Sequence, residues 1–137
     1  MNGASLTTKH GFPARLLVPG IYGMKNCKWI TEVELADYDF KGYWESRGWS
    51  DTAAYQTMSR IDYPNSENIP AKPIYITGVA FAGNRRIQKV EVSTDGGKSW
   101  TEANLRTPLS EFAWTQWTYP WIPDAGVHDL KVRATDG

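Results

Sequence analysis

The feature that most restricts the fold is a series of short alternating segments after residue 69. Ile87–Ser93 places Ile87, Lys89, Glu91 and Ser93 on one face and Gln88, Val90 and Val92 on the other. That period of two belongs to a half-buried strand. Asp95-Gly96-Gly97 follows, and these residue types accept the positive φ of a hairpin turn. Trp100–Ala103 then reads as the return strand. Before it, Ile74–Ala82 is rich in β-formers and is turned by Gly83-Asn84. After it, Phe112–Trp121 alternates again, and Val127–Ala134 is the last candidate strand. Several short strands separated by turn residues predict a mainly β protein, an antiparallel β-sandwich of the immunoglobulin type. The single cysteine, Cys27, leaves the sheets without a disulfide and excludes a cysteine-built zinc site.

Tryptophan is abundant, at 7 in 137 residues. Trp114 and Trp117 fall on opposite faces of one strand, so one is core and the other is exposed or at an interface. A subunit contact is preferred here over a carbohydrate-stacking platform. The string Ser93–Trp100 also fits the Asp-box hairpin of sialidase-like propellers. A lone copy cannot build a propeller, so it reads as a stable hairpin with Asp95 bonding turn amides and Trp100 packing beneath. His128 reads as a surface strand residue.

The first half of the chain is less regular. Gly3, Gly11, Pro13, Pro19 and Gly20 mark loops, leaving room for a short buried strand at Ala14–Val18. Lys28–Leu35 alternates polar with apolar residues and predicts a half-buried strand. Residues 36–68 show no clean periodicity. A short helix is predicted near Tyr43–Arg47, and Asp37, Asp39, Glu45 and Asp51 read as solvated acids.

Net charge is zero, with 15 basic and 15 acidic residues. That excludes a general nucleic-acid binder, which needs a basic excess to displace counterions. No apolar run reaches the roughly 20 residues that span a bilayer, and no basic-then-apolar leader opens the sequence. The balance hides segregation. Residues 1–31 carry Lys9, Arg15, Lys25 and Lys28 and no acid, whereas residues 32–62 carry seven acids against three bases. With His10, the basic block reads either as an anion site or as a solvated loop. No Gly-rich phosphate loop, catalytic triad string or metal-spaced histidine cluster is present.

The string His10-Gly11-Phe12-Pro13-Ala14-Arg15, followed by Pro19-Gly20, Tyr22-Gly23 and Lys28-Trp29, resembles the sulfite oxidase family of molybdenum enzymes. Thr57–Ile61, Ile69-Pro70, Gly78–Ala80 and Val90–Gly97 with Trp100 are similar to the same family in the same order. The resemblance covers nearly the whole chain. It implies that an immunoglobulin-like sandwich follows the C-terminal remnant of a molybdopterin-binding domain. It also implies that His10, Arg15 and Asn26-Cys27-Lys28 hold the molybdenum-molybdopterin cofactor of the intact parent, with no catalytic residue and no metal ligand in this stretch. In that family the ligand cysteine lies well upstream of the His-Gly string, so Cys27 reads as a loop cysteine. Lys9 stands where the family commonly has an acid.

The resulting expectation is a C-terminal portion of a larger enzyme. Residues 1–40 end the cofactor domain, residues 41–68 connect, and residues 69–137 form a truncated dimerisation sandwich with an unpaired edge. The implied parent activity is oxygen-atom transfer, sulfite to sulfate or a related substrate, in a homodimer passing electrons to a haem or cytochrome. Alone, this stretch is expected to be inactive and to hold no stoichiometric molybdenum. Two alternatives stand beside it: a nitrate reductase-type member of the family, and a stand-alone β-sandwich binding module without redox activity.

Overall fold

The computed structural model describes residues 3–137. The chain divides into two compact units, the first ending at Tyr55 and the second spanning Gln56–Gly137.

The second unit is the β-sandwich. Its strands are β1 (Met58–Tyr63), β2 (Ile74–Phe81), β3 (Ile87–Ser93), β4 (Thr101–Glu102), β5 (Asn104–Leu105), β6 (Thr115–Trp121) and β7 (Lys131–Asp136). A four-stranded sheet runs β1-β2-β6-β5 and a three-stranded sheet runs β4-β3-β7, with antiparallel pairing throughout. Ile76, Ala80, Val90, Val92, Ala103 and Trp117 form the buried core between them. Each fully buried valine or isoleucine side chain there contributes roughly 1.5–3 kcal/mol.

One contact sets the spacing of the larger sheet. Gly78 of β2 lies opposite Trp117 of β6, and Trp117 is 1% exposed. A Cβ at residue 78 would sit 1.9 Å from the Arg60 carbonyl oxygen and 2.6 Å from the indole. Only glycine lets β1, β2 and the tryptophan share that space.

Several elements differ from the sequence reading, each for a physical reason. β1 lies in the segment read as a connector, so the compact sandwich begins ahead of residue 69. Its apolar signal rests on Ile61, which packs against the core, and its other face is solvated. Strict alternation in β3 breaks at a register shift between Ile87 and Lys89. The extra residue of such a bulge turns its neighbour to the opposite face, and Ile87 joins the core side with Val90. β7 starts at Lys131 rather than Val127, which is fully exposed. The loop before it is held instead by Gly96 N–H donating to the Asp129 carbonyl at 2.9 Å. β6 begins at Thr115, and Phe112 stays outside it. The return strand shrinks to Thr101–Glu102.

The predicted hairpin is present. Gly96 and Gly97 have φ of 78° and 95°. Asp95 Oδ1 accepts the Lys98 and Ser99 amides at 3.0 Å and the Ser93 hydroxyl at 2.7 Å, and Oδ2 accepts the Ser99 hydroxyl at 2.6 Å. The Trp100 indole N–H donates to the Gly97 carbonyl at 3.1 Å. These donors, the Ser99 hydroxyl foremost, hold the Asp95 carboxyl far below the usual carboxylate range.

Among the described residues the first unit contains no strand. It has 3-10 turns at Thr8–His10, Gly23–Lys25 and Glu45–Arg47 and isolated bridges Arg15–Lys28 and Ile21–Ala54. The two strands predicted here do not form. Alternation in residues 28–35 leaves Val33 85% and Leu35 98% exposed, because no neighbouring strand covers that face. The predicted short helix is the turn at Glu45–Arg47. The acids read as solvated are partly engaged. Glu45 pairs with Lys25, and Asp51 pairs with Lys25 at 3.2 Å and with Lys41 at 2.8 Å. The lysines hold both carboxyls below their ordinary values, chiefly Lys25 for Glu45 and Lys41 for Asp51. Among the described residues no helix is long and apolar enough to cross a membrane.

Two outcomes follow for the sandwich. Gly78→Ala should lower its stability by about 3 kcal/mol through overpacking, measured by urea unfolding against the unmodified chain. Asp95→Asn should be less stable than the unmodified chain at pH 7. A depressed carboxyl pKa stabilises above its unfolded value near pH 4 and loses that contribution as acid protonates it. The gap between the two proteins should therefore close as pH falls below about 4, read from thermal midpoints across an acid series.

Candidate functional site

The residues singled out by sequence lie in the first unit, around a chain reversal at Gly11. Gly11 follows the Thr8–His10 turn with φ of 111°. A Cβ there would lie 3.1 Å from the Arg15 Cβ and 3.2 Å from the Lys28 Cβ. Two backbone hydrogen bonds flank the Arg15–Lys28 bridge: Leu16 N–H to the Cys27 carbonyl at 2.9 Å, and Ile30 N–H to the Ala14 carbonyl at 3.1 Å. The fold thus joins three of the five predicted positions, Arg15, Cys27 and Lys28, although their sequence separation exceeds ten residues.

His10 and Asn26 are placed differently. The Thr7 hydroxyl and His10 Nδ1 are 2.7 Å apart, and Arg15 reaches the His10 carbonyl at 3.5 Å. Asn26 is committed to the local backbone. Its Oδ1 accepts the Val18 amide at 2.5 Å and its Nδ2 donates to the Tyr22 carbonyl at 3.2 Å. The Asn26 side chain therefore shapes the loop rather than facing out of it. Cys27 is exposed. Among the described residues no group of histidine, cysteine and carboxylate side chains is arranged to hold a metal.

Thr7, His10 and Arg15, with Ser5, Leu6 and Leu17, line a concavity of about 580 Å³. Arg15 Nε is buried there with no hydrogen-bond partner. An unpaired buried donor of this kind costs roughly 1–3 kcal/mol. Among the described residues no carboxylate pairs with the guanidinium. Lys28 Nζ donates to the Lys9 carbonyl at 3.2 Å and sits 5.5 Å from the Trp29 ring centre. A strong hydrogen-bond acceptor with negative charge, such as a phosphate oxygen, is the complement of this donor set. The residues present therefore fit a phosphate-bearing cofactor.

Trp29 is the residue whose part sequence reading missed. It holds a positive φ of 54°, and its indole N–H donates to the Thr8 carbonyl at 2.7 Å. That bond clasps the His10 turn to the segment that carries Lys28. The Lys28-Trp29 pair was visible as a motif, but the long-range bond has no signature in spacing.

The chain thus carries, in sequence order, a loop-rich segment with an acid-free cation cradle and an antiparallel β-sandwich. Residues 1–44 match the family described as oxidoreductase molybdopterin binding domain, and residues 50–137 match the Mo-co oxidoreductase dimerisation domain. The chain belongs to the sulfite oxidase family, its sandwich to the Mo-co oxidoreductase dimerisation domains. It is 28% identical to mitochondrial sulfite oxidase of Homo sapiens over 96% of this chain and 28% of that protein. It is 33% identical to the NADPH nitrate reductase of Fusarium oxysporum over 82% of this chain and 16% of that protein. The crystal structure of the sulfane dehydrogenase SoxCD from Paracoccus pantotrophus superposes with a TM-score of 0.79 at 33% identity, covering 98% of this chain and 38% of that one. The chain thus spans well under half the length of each of these relatives.

Gly11→Ala should separate Arg15 from Lys28, since a methyl group must enter at a left-handed backbone position. The expected loss is about 1–2 kcal/mol, with faster hydrogen exchange at the Leu16 and Ile30 amides as the local readout.

Proposed function

We propose that this chain provides cofactor contacts and a dimerisation sandwich to a molybdenum-cofactor oxidoreductase of the sulfite oxidase type. The observation that carries the reading is Arg15 Nε, buried and unpartnered in a residue that lines a concavity and lies within the acid-free first 31 residues. In this reading Arg15 and Lys28 donate to the cofactor's phosphate and the His10 ring orients the pterin. The segment Asn26-Cys27 contributes main-chain groups, with the Asn26 side chain bracing the loop. The bound cofactor supplies oxygen-atom transfer and two-electron redox chemistry. This chain's own part is to bind it, fix its orientation and keep its charge neutralised.

In this reading residues 1–40 act as the end of the cofactor domain, and the unit Gln56–Gly137 acts as the dimerisation sandwich. The parent substrate in this reading is sulfite or a related sulfur compound, in keeping with the names of the sulfite oxidase and sulfane dehydrogenase relatives. The parent is a homodimer that delivers electrons to a haem or cytochrome. Nitrate reduction is the second reading, favoured by the match to the fungal enzyme.

The test uses the complete polypeptide that carries this chain, made in a host that synthesises the cofactor. Arg15→Met and Lys28→Met should each reduce bound molybdenum and pterin by roughly tenfold or more, with circular dichroism unchanged. Undiminished loading in both variants would overturn the assignment. Sulfite-dependent against nitrate-dependent turnover of the unmodified protein separates the two substrate readings.

A further inference from the structure

At one end of the sandwich, the Gly83–Arg85 turn after β2 and the segment joining β5 to β6 enclose a concavity of about 480 Å³. A volume of that order suits a small organic molecule. Phe81, Ile87 and Leu105 give it apolar walls, and Arg86 and Arg106 are also among its lining residues. Glu111 is the one acid among the lining residues.

Arg86 is the unusual member. Its backbone sits at φ 57°, ψ 151°, a region that is essentially reserved for glycine. Its immediate neighbour, Arg85, is tied into the fold through Asp136 at 2.6 Å. Among the described residues Arg86 has no ion pair or side-chain hydrogen bond, and it is exposed. An arginine in this glycine conformation carries a backbone cost, and no side-chain ion pair or hydrogen bond of its own among the described residues offsets it. Arg106 is pre-positioned: its amide donates to the Gln116 carbonyl at 2.8 Å and its Nη1 to Gln116 Oε1 at 3.3 Å. The remaining guanidinium donors are available.

We propose that this concavity binds a small monoanionic carboxylate with an apolar body, the carboxylate between Arg86 and Arg106 and the hydrocarbon on Phe81, Ile87 and Leu105. Guanidinium forks match carboxylate geometry. Two arginines against one glutamate leave a single net positive charge, which selects a monoanion over a dianion. The site lies wholly in the sandwich and is independent of the cofactor reading.

The full 137-residue chain is titrated with hexanoate, followed by backbone amide shifts in residues 81–87 and 105–115. Hexanoate should saturate these shifts. Hexanol, hexylamine and inorganic phosphate should each bind at least roughly tenfold more weakly, since each lacks the charge, its sign or the apolar body. Arg106→Gln should weaken hexanoate roughly tenfold, and Glu111→Gln should strengthen it severalfold. Arg86→Gly is the decisive variant. It should lose hexanoate binding while its thermal midpoint stays level or rises, because glycine fits that backbone without strain. Unsaturable shifts, equal binding of hexanol, or a lowered midpoint in Arg86→Gly would each overturn the proposal.

Discussion

The sandwich depends on a large side chain lying where its neighbour has none. Trp117 covers Gly78 across the β2–β6 pair, while the Arg60 carbonyl approaches the same glycine from β1. Three strands are therefore spaced by one indole. The indole N–H is buried without an acceptor. Burial of about 200 Å² of aromatic surface, worth about 5 kcal/mol, outweighs the roughly 1–3 kcal/mol of an unpaired donor. Packing, not hydrogen bonding, decides this position, and the remaining core residues assemble around it.

Satisfied charge performs the equivalent task where apolar packing is thin. Asp95 gathers four donors in the β3–β4 turn. In the other sheet-closing corner, Asp136 accepts the Thr57 hydroxyl and Arg85 Nε, both at 2.6 Å. These donors, Thr57 first, hold the Asp136 carboxyl below its ordinary value. Across the smaller sheet Glu91 pairs with Arg133 at 2.8 Å and Lys89 at 3.3 Å, and the Arg133 guanidinium packs over Trp100. The first unit follows the same rule through Lys25 and Lys41. Arg15 and Arg86 depart from this pattern: among the described residues neither guanidinium meets a carboxylate, and both residues line concavities.

Legibility followed the strength of local signals. β2, β3, the Asp95 turn and the opposed roles of Trp114 and Trp117 were readable because alternation and turn chemistry act over a few residues. β1 was not, since Ile61 is its principal apolar inward residue and its pairing with β2 is a tertiary fact. Residues 28–35 carried a convincing alternation that no neighbouring strand answers. In the candidate site, His10, Arg15 and Lys28 were legible as a family string. The Trp29 clasp and the commitment of the Asn26 side chain to backbone groups were not, because both are bonds between distant loops.

By itself, then, the sequence determined the β-rich class of the second half, its principal turn and the acid-free character of the first 31 residues, since periodicity, turn propensity and charge are local properties. Only the tertiary structure decided which alternating segments become strands, which way Ile87 faces, and that Arg15 and Lys28 meet over Gly11. Those outcomes depend on partners far along the chain, and a strand or a cradle has no stability until its partner is in place.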